Sequence, residues 1–320
     1  MKRVVITGMG IYSCIGENLE EVKQSLYEGK SGISVDQERI DYGFRSPLTG
    51  MVNQPNLKKM LSRRQRISLG QEGEYAYLAT IEALENAKIT QEFLDSNSVG
   101  ILYGNDSTAK SLVEGVDIIR EKKDTTLVGS GAIFKSMNST VTMNLSTIFK
   151  LTGVNFTISA ACASGSHSIG MAYQLIKSGM QDCIICGGAQ EINKLAMGSF
   201  DGLGVFATNE DATKASRPFD KNRNGLVPSG GAATLIVESY ESAVKRGAPI
   251  LGEIIGYGFS SNGGHISTPN VDGPARAMTM ALEQSNIEAS EIEYINAHAT
   301  STPVGDANEA KAIVEVFGEN

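Results

Sequence analysis

Cys162 lies in the run NFTISAACASGSHSIG, residues 155–170, with nothing larger than serine on either side of it for several positions. A strand that ends in Ala160, Ala161, Cys162, Ala163, Ser164 and Gly165 can turn sharply, because small side chains let the backbone fold back without a clash. A helix that starts beside the sulfur favours thiolate over thiol through its unpaired N–H groups and the positive end of its dipole. Together these features describe a covalent nucleophile. A free cysteine is also a common small core residue, and the small-residue run is what separates Cys162 from that reading.

Other residues with chemical potential divide less cleanly. His298 follows an apolar strand expected over Ile292–Ile295 and precedes Ala299, Thr300, Ser301, Thr302 and Pro303. At a strand end it can present a ring nitrogen to a cavity, and spacing alone does not separate that role from a structural one. Asp306 and Glu309 stand three apart at the head of a helix whose apolar positions are Ala310, Ile313, Val314 and Phe317, which reads as Asp at the N-cap with Glu reaching back. His167 follows Cys162 by five residues, about 500° around a helix, and reads as a packing residue. His265, in the loop NGGHISTP, suits a pocket edge. Cys183 and Cys186 are three apart in an apolar strand and so face opposite sides, which suits core and not a redox pair or metal site. Lys58, Lys59, Arg63, Arg64 and Arg66 cluster with no acid among them, either a solvated face or a docking surface for an acidic partner.

The elements that must hold these residues alternate. Val4–Thr7 reads as a strand followed by a Gly-rich turn at Gly8, Gly10 and Gly16. A helix then starts at Asn18 as N-cap and stops at Gly29. A long helix is expected over 71–88 and strands at Val99–Tyr103, before Cys162, at Cys183–Cys186, Ala233–Glu238 and Ile250–Tyr257. Strands separated by helices imply an α/β protein with a mainly parallel sheet. Gly8-Met9-Gly10 lacks the third glycine of a dinucleotide-binding turn, which disfavours a nicotinamide oxidoreductase. ALENAKIT, starting at Ala83, and ALEQSNIE, starting at Ala281, each precede an acidic stretch and a strand, and point to two related halves, 1–248 and 249–320. The second half is shorter beyond this repeat, so the chain is expected to lack a C-terminal part.

The 320 residues are 41% hydrophobic with 35 glycines and no Trp, which suits a large α/β core of tight turns. A net charge of -8 disfavours nucleic acid. Four cysteines without disulfide-like spacing suit a reducing cytoplasm, and no segment has membrane-spanning length.

The segments VVITGMG, SAACASGSHSIG, SFDGLGVFAT, SRPFDKNRNG and NAHATSTPVGDANEA together resemble the elongating β-ketoacyl-[acyl carrier protein] synthases of types I and II, and the similarity covers essentially the whole chain. The resemblance implies a thiolase-like α/β fold, with duplicated mixed-sheet halves in α-β-α-β-α layers. It implies decarboxylative Claisen condensation of malonyl-[acyl carrier protein] with an acyl group on Cys162, extending a fatty acyl or polyene/polyketide chain. His298 would hold the malonyl carbonyl, and Thr300 and Thr302 the phosphopantetheine arm. Met197 and Phe200 would line the acyl pocket, Asp306 and Glu309 would buttress the site, and the basic cluster would dock acyl carrier protein. No metal or redox cofactor is implied. A cytoplasmic homodimer is the expected assembly, with a heterodimer as its variant. The rival within the fold is a non-catalytic, chain-length-setting partner subunit, which Cys162 disfavours. Ala299 departs from the family's usual glycine, and the loop Gly225–Gly230 carries Pro228 and Ser229 in place of more usual residues. The family's second histidine, its lysine motif and its second oxyanion loop are expected beyond Asn320, so the 320-residue chain alone is expected to be inactive.

Overall fold

The computed structural model describes residues 1–209 and 211–319. Its strands are β1 Val4–Tyr12, β2 Ile33–Val35, β3 Leu48–Gly50, β4 Val99–Gly104, β5 Asn155–Ile158, β6 Cys183–Gln190, β7 Gly231–Ser239 and β8 Gly252–Ile254. The chain divides into two compact units.

The first unit comprises Met1–Gly32, Gly50–Gly198 and Ser229–Ile254. It is built on one six-stranded sheet in the order β5-β4-β6-β7-β1-β8. β4 runs parallel to β5 and β6, whereas β7 is antiparallel to β6 and β1, and β1 to β8. The sheet is therefore mixed and not mainly parallel, because the long β1–β7 pair brings an antiparallel ladder into its middle. Every residue of β4 is buried, as is expected of a strand covered on both faces. Ile101, Tyr103, Cys183 and Ile185 join the core under helix Gln71–Asn86. The alternating Leu102, Ile184 and Cys186 point the other way, toward the face on which helix Ser164–Lys177 packs. Cys183 and Cys186 are thus both core and face opposite sides.

The first helix, Leu19–Glu28, has the expected punctuation: the Asn18 side chain accepts from the Glu21 N–H, and Gly29 closes it in the left-handed conformation. Gly8 and Gly10, by contrast, belong to β1 and not to a turn. They are glycine because helix Gln71–Asn86 crosses there: a Cβ on Gly10 would lie 2.0 Å from the Ala79 carbonyl oxygen, and one on Gly8 2.2 Å from that of Ala83. Across the sheet, Thr7 donates to Glu238 at 2.6 Å, and Glu238, fully buried, pairs with Arg246.

The second unit comprises Ile33–Thr49, Ser199–Pro228 and the residues from Ile255 onward. β2 and β3 form a two-stranded sheet, and Leu48, Ala207 and Ala215 make a small core. Buried Asp201 ties this region together by accepting from the Arg45 and Ser46 N–H groups at 2.8 and 3.1 Å. Helix Asp272–Ser285 packs against helix Pro303–Phe317. The strands expected over 250–257 and 292–295 shrink to three residues at Gly252–Ile254 and to none. A strand needs a ladder partner as well as β-branched residues; here Ile255 and Tyr294 stand 48% and 77% exposed.

Gly10→Ala is expected to destabilise the chain by about 3 kcal/mol or more in urea unfolding, since the obstacle is helix backbone. The control is Met9→Ala, whose exposed side chain faces away; its expected effect is under about 1 kcal/mol. A tolerated Gly10→Ala would refute the close crossing.

Candidate active site

In the first unit the chain leaves β5 at Ile158 and enters helix Ser164–Lys177 through a single tight corner. Ala161 adopts φ 49°, the left-handed region that a side chain disfavours, and Ala160 bridges to Cys162 across it. Ser164 clamps the corner: its hydroxyl accepts from the Ala160 N–H at 2.8 Å and donates to the Ala161 carbonyl at 2.7 Å. The Ala163 and Ser164 N–H groups turn back to the carbonyls of Ala160 and Ala161 at 3.1 and 3.0 Å. Cys162 is left exposed at the head of the helix, whereas Cys183 and Cys186 are buried and desolvation pushes both thiols up.

Two glycines that the sequence reading passed over make this corner possible. A Cβ on Gly104, the last residue of β4, would stand 2.4 Å from the Gly165 nitrogen, and one on Gly188 of β6 would stand 3.2 Å from the Gly165 Cα. The helix therefore presses on the sheet through bare backbone just behind Cys162. The available signal was the glycine ending each apolar run, VGILYG and CIICGG. In front of the corner is a cavity of about 390 Å³, lined among others by Cys162, Asp106, Gln190 and Ser229. His167 is half-buried on the helix, one turn beyond the corner.

The second unit holds His298, exposed, on a loop fixed by two acids of helix Pro303–Phe317. The His298 and Ala299 N–H groups donate to the two oxygens of Glu309 at 2.6 and 2.8 Å. Asp306, fully buried, accepts from the Ser301 N–H at 3.0 Å and the Phe219 N–H at 2.8 Å, and pairs with the Arg223 guanidinium at 3.1 Å. The acids lie three apart and hence on one helix face. Asp306 is not the N-cap. Pro303 takes the first helical position, so the cap falls to Thr302, whose hydroxyl accepts from the Gly305 N–H at 3.2 Å and lies 2.9 Å from the Thr300 hydroxyl. Arg223, which sequence reasoning gave no role, also donates to the Thr302 and Pro303 carbonyls. Ala299 and Ser301 take φ 50° and 68°. His265 is exposed, its Nδ1 accepting from the Ser267 and Thr268 N–H groups in a local turn.

Met197 and Phe200 share helix Lys194–Leu203 but fall in different units: Met197 is 4% exposed in the first, and Phe200, 38% exposed, stacks on Phe206 in the second. Lys58 and Lys59 form part of a short 3-10 turn, and Arg63, Arg64 and Arg66 lie on a one-turn helix capped by Ser62. All but Arg66 are exposed; Arg66 is half-buried and donates to the Leu61 carbonyl at 3.1 Å. Among the described residues none of the five is in an ion pair, and Met60 and Ile67 beside them are exposed. No group of three or more metal-ligating side chains occurs among the described residues.

The sequence matches the family model for the beta-ketoacyl synthase N-terminal domain over residues 1–243 and that for the C-terminal domain over residues 251–320. It is 40% identical to 3-oxoacyl-[acyl-carrier-protein] synthase 1 of Haemophilus influenzae, over 100% of this chain and 78% of that protein. Among solved structures, a beta-ketoacyl synthase from Burkholderia phymatum superposes with a TM-score of 0.91 at 36% identity, covering 99% of this chain and 79% of the other. A type II polyketide synthase acyl-carrier protein in complex with its ketosynthase bound to the hexaketide matches at TM-score 0.87 and 29% identity, over 99% of this chain and 78% of that one.

The left-handed Ala299 carries a testable consequence. Ala299→Gly relieves the Cβ clash and is expected to raise stability by about 0.5–1 kcal/mol in chemical unfolding, after the greater freedom of glycine in the unfolded chain is deducted. Ala299→Val should lower it by more than that, and a loss with glycine would refute the assigned backbone conformation.

Proposed function

The chain belongs to the beta-ketoacyl synthase family, and from that premise we propose that it performs decarboxylative condensation of a malonyl thioester with an acyl group carried on Cys162. The observation that carries the reading is the exposed Cys162 at a left-handed strand-to-helix corner, with two other thiols buried and pushed up. In the first stage the Cys162 sulfur attacks the acyl thioester carbonyl. The tetrahedral oxyanion accepts hydrogen bonds, one of them from the Cys162 N–H, and collapses to expel the carrier's thiol. The start of helix Ser164–Lys177 favours the negative charge of that step. In the second stage the malonyl carboxylate leaves as carbon dioxide, its bonding pair passing to the α-carbon. That carbon attacks acyl-Cys162, forming the carbon–carbon bond and returning the sulfur as thiolate. His298 donates to the malonyl thioester carbonyl as the enolate develops, Thr300 and Thr302 contact the phosphopantetheine arm, and Met197 and Phe200 line the path of the acyl tail. Asp306 and Glu309 act as positioning residues for the His298 loop. The reaction draws on thioester activation and decarboxylation and calls for no metal or redox cofactor.

Three further parts belong to the same proposal. The carrier of both acyl groups is acyl carrier protein, docked on Lys58, Lys59, Arg63, Arg64 and Arg66. The assembly is a homodimer, supported by β5 as an edge strand with Phe156, Phe134 and Met137 exposed at 40%, 46% and 42%. The compartment is the cytoplasm, supported by the free thiols of Cys14, Cys183 and Cys186. Residues 1–248 and 249–320 are read as the two related halves. A non-catalytic partner subunit would have no use for a nucleophile at this corner.

Intact-mass and peptide mapping test the nucleophile. Iodoacetamide at neutral pH, or an acyl thioester, should modify Cys162 first, and Cys162→Ser should abolish acyl uptake; primary modification at Cys183 or Cys186 would overturn the assignment. Docking is tested separately. Arg63→Glu with Arg64→Glu should weaken carrier-protein binding about tenfold or more at low salt, with the difference fading at high salt and small-thioester acylation unchanged. Equal affinity would return the cluster to a solvated face.

A further inference from the structure

The first unit contains another cavity, of about 480 Å³, whose charged lining is Glu72, Glu74, Glu114, Glu191, Lys110 and Lys135. Leu69, Ile118 and Val128 supply apolar wall between them. Glu72 is the anomaly. It is 1% exposed at the start of helix Gln71–Asn86, and its Oε1 has no hydrogen-bond partner. A buried polar oxygen without a partner is destabilising and rare in native structures. Burial pushes the Glu72 carboxyl up to about 8 against the pull of its own backbone N–H; Glu191 and Glu74 push the same way and Lys135 opposes them. At neutral pH it is mainly the acid, with an O–H to donate and a carbonyl oxygen to accept.

Two of the neighbouring carboxylates, Glu191 and Glu74, are already employed. Glu191 accepts from the Ala109 and Lys110 N–H groups at 2.5 and 3.3 Å and from Asn193 at 3.0 Å, and Glu74 accepts from Gln54. Of the carboxylates around the chamber Glu72 is the most buried, at 1% exposure, and it is a neutral hydrogen-bonding group in partly apolar surroundings. Chain neighbours line the two cavities: Gln190 and Asp106 line that of the nucleophile, and Glu191, the next residue, and Lys110, four residues on, line this one.

We propose that this cavity receives the distal part of the acyl group, and that Glu72 selects acyl groups carrying a neutral oxygen function there, a hydroxyl or carbonyl. The proposal rests on the acyl-transfer reading of Cys162. Glu72 donates to the oxygen and, for a hydroxyl, accepts in return, while the methylenes lie against Leu69, Ile118 and Val128. A plain alkyl tail leaves the acid unpartnered and is disfavoured, because a site built to hydrogen-bond a substrate oxygen discriminates strongly against the analogue lacking it. An amine would need Glu72 ionised in a place where burial and two neighbouring carboxylates oppose that.

The test uses unreactive amide analogues of octanoyl-, hydroxyoctanoyl- (hydroxyl on the terminal carbon) and aminooctanoyl-pantetheine, titrated calorimetrically into the full chain and into Glu72→Gln and Glu72→Leu. The hydroxyl probe should bind wild type about tenfold or more tightly than the alkyl probe. Glu72→Gln should keep the preference and Glu72→Leu should lose or invert it, with circular dichroism establishing that both fold. Equal binding in wild type, a preference unmoved by Glu72→Leu, tightest binding of the amine, or no binding of any probe each overturns the proposal. Acylation of Cys162 by the matching thioesters is measured in parallel. A chain that shows the amide preference yet takes up no acyl group refutes acyl transfer and leaves the selectivity standing; normal acylation with equal amide binding refutes only the selectivity.

Discussion

The first unit depends on one contact made without side chains, where Gly104, Gly165 and Gly188 let the head of helix Ser164–Lys177 meet the ends of β4 and β6. Any Cβ on Gly104 would collide with helix backbone, so the helix cannot sit this close on another residue. That approach fixes where the chain must turn after β5, and the turn has so few residues that one of them, Ala161, is forced to φ 49°. Residues 159–163 of the corner are all exposed, and among them Cys162 carries the one thiol. Exposure here follows from crowding: the sheet dictates the helix position, the helix the corner, and the corner the exposure of Cys162.

The second unit reaches a similar result by electrostatics. The loop from His298 to Thr302 has no sheet beneath it among the described strands, and its backbone N–H groups would be left to solvent. Instead Glu309 receives two successive N–H groups and Asp306 two more from separate segments, with Arg223 balancing the charge of Asp306. Charge-assisted bonds to backbone hold a loop in one geometry better than side-chain contacts can, since they constrain the peptide planes directly. Left-handed residues flank the candidate site residues in both units, Ala161 before Cys162 and Ala299 after His298. Each is disfavoured by about 1–2 kcal/mol and persists because its neighbours over-determine it.

What could be read in advance tracks the range of the interaction that decides each feature. Helix Leu19–Glu28 is specified by Asn18 and Gly29 within its own length, and the core strands by their apolar runs, so both were legible. Gly8 and Gly10 were read as a turn because what requires them is helix Gln71–Asn86, some sixty residues on in the sequence. The mixed sheet was implied by the family resemblance, while the alternation of strands and helices suggested a mainly parallel one: the order β6-β7-β1 is set by pairing between the chain's beginning and Gly231–Ser239, which no local pattern records. At the His298 loop, Asp306 and Glu309 were found by spacing, yet their partners were misread. Local sequence offers a cap as the nearest use for an acid at a helix head, while Pro303 had already moved the cap to Thr302.

Glu72 illustrates the converse. An acid in the first turn of a helix is ordinarily a favourable partner of the dipole and carries no signal of its own. Only folding reveals that this one is carried below the surface with an oxygen left over. Two opposite uses of the helix terminus therefore occur on the two faces of one sheet. Behind Cys162 the helix head is left without a side-chain cap, so its dipole is free to act on charge developing at sulfur. At helix Gln71–Asn86 burial overrides the dipole and keeps the carboxyl protonated, since desolvation is the larger effect on Glu72 and its own N–H the smaller. The same element of secondary structure ends at the surface beside Cys162 and below it at Glu72, and depth in the fold decides whether the dipole or desolvation governs the group placed there.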